Sequence, residues 1–506
     1  MSAHVLLRIE GGRIAERVEA GTAADLARLA QGEGCVAWYD RRLEPWLRDP
    51  ATWPELLRHS LEVLHLGCVQ RTDLAVTSLG RVDFDSPFLL PGPGDRRYPT
   101  WLVAPAGGVA PAPLVRALGL EPRLGLAAAL LDLGRQAQRE GLFLYSEPAL
   151  LSGPVPEEIR FELDRRELGT LIARGYGRQW LGFWALAGVL FDRSFSPGAV
   201  LAGWRAPARP AVDRESLARL HPAVERTAAG EMDAVIPTLG RPGPLRDLLE
   251  DLAAQTVPPR RVIVVEQRPP GAEPAALDAA WPFELVVRTV EWTGACRARN
   301  LALREVRSPW VLLLDDDVRL PADSLALLLA TAQAYGVGAV TAAVHLAHQE
   351  AEAAPGALPR AWATFGAGAT LVDAAALREA GPFDERLEGG YGEDAEIGIR
   401  LRRAGCSVLH APAVRVLHLK APAGGFRHAF RFPWHGEPVQ PRPSPIFLYA
   451  RNKHATPVMQ QGFRLFYALN RLRSVPAFAR PGELFRVLRG WERSAHWAER
   501  LDGGTA

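Results

Sequence analysis

The stretch SPWVLLLDDDVRLP, Ser308 to Pro321, holds the transition on which the reading of the chain turns. Trp310 to Leu314 is a short unbroken apolar run, the pattern of a strand covered on both faces. It stops abruptly at Asp315-Asp316-Asp317, where burial ends and the chain must turn. Three adjacent carboxylates repel one another unless a cation lies among them, and oxygen ligands suit Mg²⁺ or Mn²⁺. A solvated acidic loop is the bland alternative for this motif taken alone.

Working outward, EMDAVIPTLGR carries a β-branched run from Ala234 to Ile236, closed by Pro237 and a Gly-Arg-Pro-Gly turn. Leu245 to Ala254 has helical spacing. RRVIVVEQ (260–267) and ELVVRTVEW (284–292) read as two further strands, and GACRARNLALREV (294–306) as an amphipathic helix before the apolar run. Strands alternating with helices of this length predict a parallel sheet with crossover helices. Ligands of such sheets collect beyond the carboxyl ends of the strands. Downstream, GGYGEDAEIGIRLRRAG runs from a Gly-rich loop into a helix starting near Glu393. One acid there could simply cap the helix. Two side by side after three glycines point instead to a base, Asp394, that reaches a proton directly.

These segments, in order and spacing, resemble the inverting GT-A glycosyltransferases of family 2 over residues 231 to 420. The resemblance implies an α/β GT-A (nucleotide-diphospho-sugar transferase) fold in the C-terminal half. It also implies a metal-dependent transfer of a sugar, with inversion, from a UDP- or dTDP-sugar to a glycan, lipid-linked or protein-linked acceptor, in cell-surface polysaccharide synthesis. Pro237 and Thr238 would line the nucleoside, and Glu266, where the family usually has Asp, would face the base. Arg299 and Asn300 would flank the nucleotide, with Asp315 and Asp316 on the donor side. Asp315, Asp317 and His418 would hold Mn²⁺ or Mg²⁺, with His410 the weaker candidate. Asp394 would be the catalytic base, and Glu393 would orient it or touch the acceptor. Gly366, Gly368 and Trp362 would form the acceptor side, with Phe365 equally suited to the core. Apart from the resemblance, the charge and glycine content of HLKAPAGGFRHAFRFPW (418–434) suggest a lid that Arg427 or Arg431 would close over phosphate. A noncatalytic sugar-nucleotide-binding scaffold and a nucleotidyltransferase are the alternatives, although IPTLGRPGPLRDLL lacks the lysine the latter wants.

The remainder of the 506 residues is less specific. With 48% hydrophobic and 23% charged residues the chain is expected to be globular, and its net charge of +2 names no partner. No nucleic-acid partner is expected. Four cysteines without a CxxC pair suggest neither zinc cluster nor disulfide framework and fit a reducing cytoplasm. The N-terminus lacks the form of a signal peptide. The longest apolar stretches, such as Leu181 to Phe191, fall short of the roughly 20 residues that span a bilayer.

Residues 1–165 are read as an α/β domain, 166–230 as a helical linker, and 421–506 as a basic, aromatic helical tail. From Lys420 onward there are 14 Lys or Arg against 5 Asp or Glu, which would suit peripheral contact with the inner membrane face. One internal alignment sets Gly141 on Gly405 and Pro148 on Pro412 without gaps. It marks the N-terminal domain as a degenerate GT-A-like copy, or as a chance recurrence of helix, Gly, strand and Pro. In it Ala129 and Leu130 take the places of Glu393 and Asp394. A further DxD, Asp83-Phe84-Asp85, ends no long apolar strand and is not expected to bind a catalytic metal.

Overall fold

The computed structural model describes residues 4–19, 21–69, 79–90, 92–155, 163–225, 229–268, 277, 279–346, 357–389, 392–421 and 430–503. Arg427, with residues 422–429 of the expected lid, lies outside the described residues. The chain forms two compact units, 1–222 with 455–470 and 223–454 with 471–506.

In the first unit the elements are β1 (His4–Glu10), β2 (Arg13–Val18), α1 (Ala23–Leu29), β3 (Cys35–Asp40), β4 (Glu62–His65), β5 (Tyr98–Pro99) and β6 (Gly107–Pro111). There follow α2 (Ala112–Leu118), α3 (Leu126–Glu140), β7 (Phe143–Ser146), α4 (Arg165–Tyr176), α5 (Gln179–Asp192), α6 (Pro197–Trp204) and α7 (Arg214–Arg219). The strands order β2-β1-β3-β6-β4-β7-β5 among the described residues. The stretch expected as a separate linker belongs, to Pro222, to this unit. Its apolar residues account for that: Leu168, Ile172 and Leu181 share a core with Leu79, Val82 and Leu89, and Leu171 packs with Ala128 and Leu131.

The second unit contains β8 (Met232–Leu239), α8 (Pro242–Ala253), β9 (Arg261–Gln267), β10 (Glu284–Val290), α9 (Ala295–Leu303), β11 (Trp310–Leu314), β12 (Val318–Arg319), α10 (Ser324–Tyr335) and β13 (Ala339–Leu346). It continues with β14 (Arg360–Ala361), β15 (Ala369–Asp373), α11 (Ala374–Ala380), α12 (Glu393–Arg403), β16 (Val408–His418) and α13 (Pro445–Asn452). Helix α14 (Pro457–Arg473) falls mostly in the first unit, and α15 (Arg480–Asp502) returns to the second. The expected separate tail is therefore divided between the two units.

The second sheet orders β10-β9-β8-β11-β15-β13-β16-β12, with β14 on β16. Its first four strands are parallel, as the buried runs predict. Strand β15 runs antiparallel between β11 and β13, so the sheet as a whole is mixed rather than parallel. Because β9 and β10 extend to one side of β8 and β11 lies on the other, the strand order reverses between β8 and β11. A crevice opens at the carboxyl ends at such a point. Thr238 and Asp315–Asp317 stand there.

The two sheets repeat one pairing pattern. Strand β3 meets β6 antiparallel through Cys35↔Pro111, Ala37↔Val109 and Tyr39↔Gly107, and β11 meets β15 through Trp310↔Asp373, Leu312↔Leu371 and Leu314↔Ala369. One residue further, Asp40 N donates to Ala106 O at 2.9 Å and Asp315 N to Gly368 O at 3.0 Å. The β6/β4 and β15/β13 pairs are antiparallel, and β4/β7 and β13/β16 are parallel. Tyr98 faces Ser146 as Arg360 faces His410. Gly141 and Gly405 both end their helices in the left-handed region, at φ 77° and 84°, where a side chain would be strained. Setting Gly141 on Gly405 puts Ser146 on His410, the same equivalence that the backbone pairing makes.

The repeat covers β11 to β16 and stops there. Where the second sheet has β8 parallel to β11, the first has β1 antiparallel to β3, and no counterpart of β9 or β10 occurs among its described strands. Asp40 takes the place of Asp315, and Arg41 and Arg42 take those of Asp316 and Asp317. Both Ala129 and Leu130 are buried apolar residues where the second unit has Glu393 and Asp394.

Candidate active site

The three aspartates at the end of β11 are held in different ways. Asp316 is buried; Thr238 Oγ1 donates to its Oδ2 at 2.7 Å and Arg241 Nη1 to its Oδ1 at 2.7 Å. Burial raises its pKa and Arg241 opposes the rise. Asp316 thus ties β8 to β11 across the crevice. Asp317 accepts the Ala421 amide at 2.9 Å, lies 3.2 Å from His418 Nε2, and lies 3.1 Å from Arg241 Nη1. Burial pushes its pKa up, but these hydrogen bonds and charges outweigh it and the net shift is down. Asp315 is the open one, with its side chain 35% exposed and Oδ1 receiving Arg299 Nη2 at 3.0 Å.

One ligand atom each from Asp315, Asp317 and His418 lies within 4.8 Å of the others. Two carboxylate oxygens and an imidazole nitrogen form a donor set that fits Mn²⁺, and fits Mg²⁺ less well. His410 lies earlier on β16, its ring 5.1 Å from that of Trp362, and is not in this group.

Asp394 lies in the first turn of α12, two residues after Gly392, whose φ of 126° calls for glycine. Its Oδ2 accepts the Ala367 amide at 3.2 Å, while Oδ1, shielded from solvent, has no hydrogen-bond partner among the described residues. Burial, with Glu393 and Asp315 nearby and Arg299 opposing, raises its pKa to about 7. Glu393 is also raised, mainly by burial, and accepts the Gly392 amide at 3.1 Å. Arg299 is buried among Asp315, Asp394 and Glu393, with its Nε and Nη1 unpartnered among the described residues.

The segment Gly366-Ala367-Gly368 joins the two acidic groups. A Cβ on Gly368 would lie 2.7 Å from Asp315 Oδ2, so only glycine leaves that carboxylate its place. The neighbouring residue's amide holds Asp394. The strand-end acids and the helix-start acid therefore share one backbone segment. At Gly366 a Cβ would meet nothing within 4 Å, so close approach requires no glycine there.

Other expected residues stand elsewhere. Asn300 accepts the Phe383 amide at 2.7 Å and donates to Phe383 O at 2.9 Å and Glu385 at 3.1 Å. It lines a separate cavity of about 800 Å³ that contains none of Asp315, Asp316, Asp317 or Asp394. Its side chain is thus committed to anchoring a loop. Glu266 is buried with Arg268 Nε at 3.2 Å, and its neighbour Gln267 lines the acidic cleft instead. Phe365 is fully buried in the core, and Trp362, 39% exposed, lies outside the cleft lining. Arg431 is exposed. In the first unit Asp83 is half-buried, accepts Tyr176 Oη at 2.9 Å and pairs with Arg135 at 3.4 Å, as a structural acid would.

The cleft itself is about 470 Å³ and is lined by Pro237, Arg241, Gln267, Arg299, the three aspartates and His418, with Glu388 and Lys420. Sequence reasoning missed Arg241, Gln267 and Glu388. Arg241 had a signal, since a permanent cation placed one turn after β8 faces the acids of β11. Gln267 and Glu388 had none: Gln267 accepts the Gly294 amide at 2.6 Å and Glu388 the Arg297 amide at 2.8 Å, contacts that exist only once the start of α9 is in place.

Residues 233–363 match the family model described as glycosyl transferase family 2. No curated protein matches the chain. Among solved structures, GalNAc-T7 with UDP, GalNAc and Mn²⁺ aligns at 13% identity and TM-score 0.37 over 49% of this chain and 52% of its own. This chain thus spans about half of that one. S. aureus TarS 1–349 with UDP-GlcNAc aligns at 13% identity and TM-score 0.37 over 54% of this chain and 92% of its own. Mannosyltransferase PcManGT from Pyrobaculum calidifontis with GDP-Man and Mn²⁺ aligns at 20% identity and TM-score 0.33 over 57% and 85%. On this match, residues 233–363, from β8 to β14, carry a glycosyl transferase family 2 domain, about a quarter of the chain.

Proposed function

We propose that the chain transfers a sugar from a nucleoside-diphosphate donor to a hydroxyl of a glycan or lipid-linked glycan, with inversion at the anomeric carbon. The reading rests on one observation: Asp394 Oδ1 is buried and unpartnered among the described residues, while its other oxygen is held by the same Gly366–Gly368 segment that abuts Asp315. A buried lone pair without a donor is costly unless a ligand supplies one. The incoming hydroxyl is that donor. As its oxygen forms a bond to the anomeric carbon, its proton passes to Asp394, and the bond to the diphosphate oxygen breaks with the electron pair leaving on the nucleoside diphosphate. A single displacement from the face opposite the leaving group inverts the centre.

The chain's own groups set this up. The Ala367 amide fixes the carboxylate so that Oδ1 faces the acceptor, and burial keeps its pKa near the working range of a base. Arg299 steadies Asp315 and offers its unpartnered nitrogens to the donor's oxygens. Asp315, Asp317 and His418 would hold a divalent cation, Mn²⁺ in preference to Mg²⁺, which when bound supplies Lewis-acid stabilisation of the departing diphosphate. We assign the reaction to the cytoplasm, a reading supported by all four cysteines being free thiols. Peripheral contact at the inner membrane face and a role in surface polysaccharide synthesis complete the proposal.

The test is incubation with a panel of nucleotide sugars and Mn²⁺, with nucleoside diphosphate release measured and the product anomer assigned by NMR. Nucleoside diphosphate release and an inverted linkage support the reading. Pyrophosphate release, a retained linkage, or binding without turnover across the panel would each overturn it.

A further inference from the structure

Helices α5 and α6 of the first unit carry more apolar surface than they bury. Helix α5 turns Leu181 and Ala187 inward, with Trp180, Phe183 and Trp184 beside the core. Its other side stays in solvent, with Leu186, Val189 and Leu190 at 38%, 48% and 56% exposure. Their spacing places them on one stripe of the helix. In the following turn and on α6, Phe195, Leu201 and Trp204 are 58%, 50% and 58% exposed. A helix apolar on all sides belongs in a protein core or against lipid. Among the described residues no helix is long and apolar enough to cross a membrane, so α5 could lie on one but not span it.

The charges along this hairpin are mostly of one sign. Arg178 precedes α5, Arg193 ends it, and Arg205 ends α6. All three are exposed, and none has an ion-pair partner among the described residues. The Arg178 guanidinium lies 6.0 Å from the Trp204 ring centroid, which joins the start of α5 to the end of α6. The one acid between Arg178 and Arg205 is Asp192, and it is taken by Arg81 Nη2 at 2.7 Å.

We propose that the α5–α6 hairpin docks on an anionic lipid surface, with its apolar side chains at the headgroup boundary and its arginines on lipid phosphates. Charge favours lipid over a second copy of the chain. A twofold pairing of this face would set its three arginines against themselves, with Asp192, already paired with Arg81, the one acid between Arg178 and Arg205. Within 421–506, where composition alone placed membrane contact, several cations are already engaged: Lys453 with Asp384 and Glu396, Arg471 and Arg486 with Glu483, and Arg493 with Glu437. The inference stands on the first unit and is independent of the transfer reaction.

The full chain is sedimented with phosphatidylcholine vesicles with and without roughly one-third phosphatidylglycerol, at low and high salt. Binding to the anionic vesicles, weakened by salt, is expected. The variant Arg178→Gln, Arg193→Asn, Arg205→Gln should lower partitioning about 100-fold, at about fivefold per arginine. Asparagine is chosen at Arg193 because it tolerates the left-handed backbone there, φ 50°. The pair Leu190→Ser and Phe195→Ser should lower binding about tenfold or more. Both sites are more than half exposed, and circular dichroism melts will show that the fold is kept. Three results would overturn the proposal: wild-type protein remaining in the supernatant, variants sedimenting as wild type does, or a solution dimer lost in the Leu190/Phe195 variant without any vesicle binding.

Discussion

Replacing Gly368 by alanine puts a methyl group 2.7 Å from Asp315 Oδ2, where ordinary carbon contacts begin near 3.4 Å. The carboxylate must then move by several tenths of an ångström or swing to another rotamer. The clashing atom is the end of a side chain, so the fold gives way cheaply, at about 1 kcal/mol, the low end of overpacking costs. Function does not. A misplacement approaching 1 Å at a positioned group costs about 100-fold, and Asp315 is also a member of the cation-holding set. Gly366→Ala is the matched control, because a Cβ there meets nothing within 4 Å. Mn²⁺ affinity by calorimetry, transfer rate and urea stability are measured for both variants. The expected result is a Gly368→Ala protein that melts almost normally, binds Mn²⁺ at least tenfold more weakly, and transfers about 100-fold more slowly, beside a near-normal Gly366→Ala. If Gly368→Ala binds Mn²⁺ as wild type does, or if both variants lose activity equally, Asp315 does not work from this position.

Further outcomes follow from the charges. With the Asp394 pKa raised to about 7, the base is active when deprotonated, so kcat/KM should climb as pH rises through about 7 and level off above it. Arg299 opposes that rise in pKa, so Arg299→Gln should move the limb to higher pH; a limb unmoved in a pH–rate profile counts against it. Lys453 Nζ lies 2.8 Å from both Asp384 and Glu396, and Lys453→Met should cost about 1–2 kcal/mol in urea unfolding, because Arg400, His454 and Arg386 remain to meet the two acids. Glu396 is held down to about 2 by His454, Arg400 and Lys453 against the upward push of burial, so its contribution is whole above the ordinary carboxylate range and fades as pH falls toward 2. Asp83→Asn should lower stability through its lost Arg135 and Tyr176 contacts while leaving Mn²⁺ affinity unchanged, which calorimetry will check.

The half of the fold that carries the strand-end acids was legible because its strands are continuous β-branched and leucine runs, VIVV in β9 and WVLLL in β11. Strands β13 and β15, AVTAAVHL and ATLVD, are alanine-rich and signal weakly, so the antiparallel turn of the sheet was hidden. Asp394 stood out by adjacency, with Glu393 beside it and glycines before. The anchoring of its helix did not, since Glu396 is met by Lys453 and His454 from far along the chain. Asn300 was misplaced because its contacts with Phe383 likewise depend on a distant loop. The internal repeat showed only one stretch of matching letters. CVAWYD and WVLLLD share a pattern but few residues, and it is the strand pairing that makes Asp40 and Asp315 equivalent.

The most direct measurement is the Asp394→Asn protein, assayed for Mn²⁺-dependent donor binding by calorimetry and for transfer in a single turnover. The amide keeps the shape but cannot take the acceptor's proton. Donor affinity within a fewfold of wild type and transfer slowed by about 100- to 10,000-fold is the predicted result. Transfer at the wild-type rate with the same donor would mean that the proton goes elsewhere and that the buried oxygen on α12 is not the base.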